Sequence, residues 1–88
     1  MENMKWLTKI NLNGDINRVK EFDNLVKNFE SNLFLCHGRY VVDAKSIMGI
    51  FSLCFDQDLD LMIEEKVEGE ADRLYELMKE HGYLVGGN

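Results

Sequence analysis

Along this chain the apolar positions change their period several times, and each change marks an element. Met4, Trp6, Thr8, Ile10 and Leu12 fall on one side of the first segment, and Lys5, Lys9 and Asn11 on the other. That alternation predicts a strand over Met4 to Leu12. Leu7 breaks it. Asn13-Gly14-Asp15 is turn chemistry. From Ile16 to Phe29 the step lengthens: Ile16, Val19, Phe22, Leu25, Val26 and Phe29 recur every three or four residues. This predicts a helix with one buried stripe, capped by Asp15 or Asn17.

Short strands are predicted at Leu33 to His37 and Arg39 to Val42, with Gly38 turning between them. Ser46 suits the cap of a short helix over Ile47 to Leu53, although its β-branched and aromatic residues also suit a buried strand. Leu59, Leu61 and Ile63 alternate with Asp58, Asp60, Met62 and Glu64, the pattern of a half-buried strand. A last helix is predicted from Glu70 to His81, with Ala71, Leu74, Leu77 and Met78 inward and Gly82 as its stop. Val85 to Asn88 are expected to fray.

The order β-α-β-β-α-β-α implies an α+β fold: a four-stranded antiparallel sheet covered on one face by three helices. Trp6, Ile10, Leu35, Leu61 and Ile63 are expected to face Val19, Phe22, Val26, Leu74 and Leu77. The chain has 88 residues, 45% of them hydrophobic, and no proline. Those figures fit one domain over 1–88 with its own core.

The formal charge of −6 argues against nucleic acid as a partner and favours basic protein surfaces. Lys5, Lys9, Arg18, Lys20, Arg39 and Lys45 are the candidates for a local basic spot. Cys36 and Cys54 lie in apolar runs and are expected to be buried free thiols. The polar, charge-interrupted N-terminus does not read as a signal peptide. The run Ile47 to Phe55 is too short to span a bilayer. A cytoplasmic protein without membrane contact is expected.

The chemistry-bearing residues do not form familiar constellations. Cys36 and His37 are adjacent on a strand and point apart, which disfavours shared metal binding. Asp56, Asp58 and Asp60 lack the glycine and terminal glutamate of a calcium loop. Glu64, Glu65, Glu68 and Glu70 read as a charged surface. No Ser-His-Asp or Cys-His arrangement and no phosphate-cradling glycine loop is present, so neither an enzyme activity nor a metal or other cofactor is expected.

The segment Asp43 to Leu53 carries one further signal. Lys45-Ser46-Ile47-Met48-Gly49 and Ser52-Leu53 resemble the regulatory-serine segment of the histidine-containing phosphocarrier (HPr) proteins of Gram-positive bacteria. Length and element order agree with that family over nearly the whole chain. The resemblance implies an HPr-like open-faced β-sandwich and a link to the phosphoenolpyruvate-dependent sugar phosphotransferase system.

In that family the first helix opens with a Gly-x-His-x-Arg-Pro type motif, and its histidine takes a phosphoryl group from enzyme I. Here the region reads Gly14-Asp15-Ile16-Asn17-Arg18-Val19-Lys20. Local pattern puts Asn17 in the histidine's place, and an ungapped count from Ser46 puts Asp15 there. The arginine-proline pair is missing, Arg18 is a displaced counterpart, and His37 and His81 lie in other elements. Phosphohistidine transfer needs an imidazole nitrogen that attacks phosphorus and later leaves, with helix amides and a basic group steadying the charge. Asparagine offers no such nucleophile. An aspartyl phosphate normally needs a metal ion and a lysine.

The resemblance therefore implies a non-catalytic docking or regulatory protein with Ser46 as a phosphorylation site. Ile47, Met48 and Phe51 would form the exposed docking patch beside it, with Ile50 and Leu53 in the core. The implied partners are HPr kinase/phosphorylase, a transcriptional regulator, or phosphotransferase-system enzymes. Two alternatives stand: a phosphocarrier with an atypical acceptor, and a diverged domain with a new ligand. The oligomeric state is not legible in the sequence.

Overall fold

The computed structural model describes residues 4–86. The elements follow the predicted order: β1 (Met4–Asn11), α1 (Ile16–Val26), β2 (Asn32–His37), β3 (Tyr40–Asp43), α2 (Ile47–Phe51), β4 (Asp58–Glu64) and α3 (Glu70–Glu80). The four strands form one antiparallel sheet in the order β1-β4-β2-β3. Its inward residues Ile10, Leu33, Leu35, Leu59, Leu61 and Ile63 pack with Val19, Phe22, Val26, Ile50, Leu74 and Met78 from the helices. The fold is thus an α+β open-faced sandwich.

Gly38, at φ +61, turns β2 into β3. Gly82, at φ +74, ends α3, where only a residue tolerant of the left-handed region fits well. Helix α1 stops at Val26, earlier than its apolar stripe predicts. Phe29 is still buried, in the turn beyond, beneath the Arg73 guanidinium at 4.4 Å.

Trp6 is not in the core. The pairing slips between Trp6 and Thr8: Thr8 stands opposite Leu61 and Trp6 opposite Met62. Two β1 residues therefore span one step of β4, and Leu7 is the extra residue of a bulge. Leu7 packs against the core, and Trp6 is sent to the open face, 57% exposed. Ile16 likewise leaves the buried stripe at 54% exposure, because the inward row begins one turn later at Val19.

The acidic run is not all surface. Glu70, the first residue of α3, is buried, and its carboxylate accepts from the Ser31 hydroxyl at 2.5 Å and the Ser31 N–H at 2.8 Å. The Glu30 N–H adds a third bond at 3.1 Å. Burial pushes the Glu70 carboxyl upward. The Ser31 and Glu30 bonds and the Arg73 charge outweigh that and hold it below its ordinary value. Glu65 is also committed, accepting the Gly69 and Ala71 N–H groups at the start of α3.

The C-terminal segment docks. Tyr83 is fully buried, Leu84 bridges to Ile10, and the Val85 N–H donates to Lys9 O at 3.2 Å. Val85 is thus tied to β1, against the expectation of fraying; Gly87 and Asn88 lie outside the described residues. Both cysteines are free, but neither is buried: Cys36 is half-buried and Cys54 exposed. Strand parity puts Cys36 on the open face opposite Asp60, and Cys54 sits in the turn after α2. Partial burial and the Asp60 charge raise the Cys36 thiol pKa.

Candidate functional site

The sequence points to two helix starts, and the fold sets the first of them against the loop that follows α2. Asn13 and Gly14 turn the chain out of β1 with φ of 59° and 63°. The Gly14 N–H donates to Phe55 O at 2.9 Å, which ties this turn to the loop after α2. A side chain at Gly14 would meet Asp56 Cβ at 3.0 Å, so the backbones approach there only because of the glycine.

Asp15 is the N-cap of α1. Its Oδ1 accepts the Asn17 N–H at 2.8 Å, so that oxygen is used by the helix itself. Asn17 and Lys20 are exposed on the first turns. Arg18 points the other way. Its Nη2 donates to Asn11 O and Gly82 O, each at 3.1 Å, and its guanidinium lies 4.5 Å from the centre of the Tyr83 ring. Arg18 Nε is buried without a partner.

Tyr83 is the hub of this arrangement. Its ring meets Phe22 edge-on at 5.9 Å and stacks near His81 at 6.2 Å. Its hydroxyl donates to Glu21 Oε1. Burial, with the Glu21 carboxylate as the second cause, pushes the phenol pKa well above its usual range. His81 Nδ1 is 3.9 Å from Glu21 Oε2, so this imidazole lies beside the second turn of α1 and not at its start. His37 closes β2 opposite Tyr40. Glu21, His81 and Tyr83 had no local signal in the sequence, because their contacts join residues about sixty positions apart in the chain.

At the second helix start, Ser46 is exposed and its Oγ accepts the Gly49 N–H at 3.2 Å. Gly49 lies where an added Cβ would be 3.3 Å from Val42 Cβ, so α2 packs closely on β3. Lys45 is turned back, its Nζ donating to Phe29 O at 2.5 Å. Around α2, Ile50 and Leu53 are buried, and Met48 is 74% exposed. Ile47 and Phe51, expected to be exposed beside it, are instead half-buried against the core, with Phe51 edge-on to Phe55 at 5.6 Å.

Among the described residues no three His, Cys, Asp or Glu side chains gather into a metal-binding group, and no pocket forms. No described helix is long and apolar enough to cross a membrane.

The family described as "PTS HPr component phosphorylation site" matches residues 17–80 of the chain. A crystal structure of HPr-C-His from Thermoanaerobacter tengcongensis is similar in fold, with a TM-score of 0.63 and 24% identity over 88% of each chain. No curated protein matches the sequence.

Proposed function

The chain belongs to the family of PTS HPr components, and on that premise we propose that it docks to other proteins without carrying a phosphoryl group on α1. The reading rests on one observation above all: the basic side chain nearest the start of α1 is turned inward. Arg18 spends two N–H groups on Asn11 and Gly82 carbonyls and stacks on Tyr83. A transferred phosphoryl group there would have neither an imidazole to form on nor this guanidinium to meet it. Asp15 is occupied in capping and Asn17 is no nucleophile.

The partner surface in this reading is Ser46 with Ile47, Met48 and Phe51. Met48 contributes the most open apolar surface of that group. A phosphate on the exposed Ser46 hydroxyl adds about −1.5 to −2 charges beside the patch. Partners with basic side chains facing Ser46 then bind more tightly, and partners with carboxylates there bind less tightly. The partner classes are HPr kinase/phosphorylase, a transcriptional regulator and the phosphotransferase-system enzymes.

Two incubations test the proposal. With phosphoenolpyruvate and enzyme I, the protein is expected to gain no acid-labile phosphate. Robust labelling lost in Asp15→Ala or Asn17→Ala establishes the phosphocarrier alternative instead. With HPr kinase and ATP, mass spectrometry of the Lys45–Phe55 peptide is expected to find one phosphate on Ser46. Its absence under conditions that label an ordinary HPr removes the regulatory role and leaves Ser46 as a helix cap.

A further inference from the structure

The open face of the sheet carries an apolar row. Strand parity puts Trp6, Met62, Phe34 and Asp43 there in one register row, and Lys9, Asp60, Cys36 and Val41 in the next. Trp6 is 57% and Val41 49% exposed, while Met62 and Phe34 are half-buried. A solvated sheet face is ordinarily polar. A contiguous aromatic and aliphatic patch with a polar rim is the usual mark of an interaction surface.

The tryptophan is held in place. Its Nε1 donates to Asp60 Oδ1 at 2.9 Å, and Lys9 Nζ meets the same oxygen at 3.0 Å. A ring fixed by its edge loses little freedom when something lands on its face. Around the row stand Asp43, Asp58 and Glu64. Asp58 is bonded to Asn11, and Glu64 to Asn32 and Lys66.

The charge selects the occupant. The face itself offers Asp43, Asp58, Asp60 and Glu64 against Lys9 and, at its rim, Lys66, within a chain of net charge −6. A second copy would bring the same carboxylates against them. Nucleic acid and anionic membranes are repelled for the same reason. A cationic side chain gains twice, from the indole face and from the carboxylates around it.

We propose that the open sheet face binds a basic polypeptide segment, with arginine or lysine side chains seated over Trp6 and Phe34 and between Asp43, Asp60 and Glu64. The face lies on the other side of the sheet from α1 and α2. A partner there leaves Ser46 and Met48 free for a second protein.

Trp6 is the chain's only tryptophan, so its emission reports directly. The probe is a synthetic peptide alternating arginine and valine, with a glutamate-for-arginine peptide as control. The arginine peptide is expected to change Trp6 emission saturably at low salt. Backbone amide shifts should map to β1, β4, β2 and β3. The variant Asp43→Asn/Asp60→Asn/Glu64→Gln is expected to lose about tenfold in affinity, from three partly exposed charge contacts. Lys9→Glu, which removes the competing cation, is expected to tighten binding, and it serves if the triple variant does not fold. Glu76→Gln, which removes an exposed carboxylate on α3 behind the sheet, leaves the affinity unchanged. Equal binding of both peptides, shifts confined to α1 and α2, or concentration-dependent self-association through Trp6 would overturn the proposal.

Discussion

Helices α1 and α2 both begin at an extended residue whose side chain folds back on the first turn. Asp15, at φ −101 and ψ 117, accepts from Asn17; Ser46, at φ −100 and ψ 106, accepts from Gly49. What lies behind the caps differs. The 11-residue α1 buries Val19, Phe22 and Val26, and through Arg18 it is bound to the C-terminal segment. The 5-residue α2 buries Ile50 alone. A helix that short has no stability of its own and holds only by its docking. The same capping device therefore serves a strut in one place and a mounted surface in the other. The strut has Asp15 and Arg18 tied to backbone groups; the mount leaves Ser46 and Met48 in solvent.

The largest effect should come from the strut's core. Phe22→Ala is expected to cost about 3–5 kcal/mol in urea unfolding, and more than Ile50→Ala. Equal costs would mean that α2 is anchored as firmly as α1. Next, Arg18→Ala should lose about 2–3 kcal/mol, from two charge-assisted bonds and the contact with Tyr83. Arg18→Lys should not restore it, because an ammonium lacks the flat guanidinium that lies on the Tyr83 ring.

Asp15→Ala and Ser46→Ala should each cost about 1 kcal/mol, but in different places. The first is expected as a shift of the whole urea transition. The second is expected mainly as faster amide exchange over 47–51. A reversal would exchange the roles assigned to the two helices.

The smallest effect lies away from both. The Asn32 side chain holds the Glu64 carboxyl below its ordinary value of 4.5; slight burial opposes this and Lys66 reinforces it. A carboxyl depressed in the folded state contributes stability above its ordinary value and loses it as pH falls through the folded one. Glu64→Gln should therefore reduce the fall in the urea midpoint between pH 7 and strongly acid solution, without changing the order of the two helices.

Much of the fold was legible because it is written locally. The alternation of Leu59, Leu61 and Ile63 marked β4, Ser46 marked a cap, and Gly82 marked a stop. Alternation alone puts Trp6 on the wrong face, because a bulge reverses parity without changing composition. The one trace was Leu7, an apolar residue at a polar step. The candidate site was less legible. Its two caps are local and were read from the sequence, but the fate of Arg18 depends on Tyr83 and Gly82, far along the chain and beyond the last helix. Glu70 has the sequence signature of surface because a charged residue at a helix start usually is exposed, and nothing in its neighbours announces Ser31.

The bulge at Leu7 and the docking of residues 83–85 also bear on how this protein survives at high concentration. A sheet's outer strands offer unpaired backbone groups to other chains, and long straight edges seed edge-to-edge aggregation. One outer strand here, β3, has 4 residues. The other, β1, is kinked midway by the bulge and bonded beyond it by Tyr83 and Val85. Neither border leaves a regular ladder on which a neighbouring molecule could extend the sheet, so the open face can display its tryptophan without the edges recruiting copies.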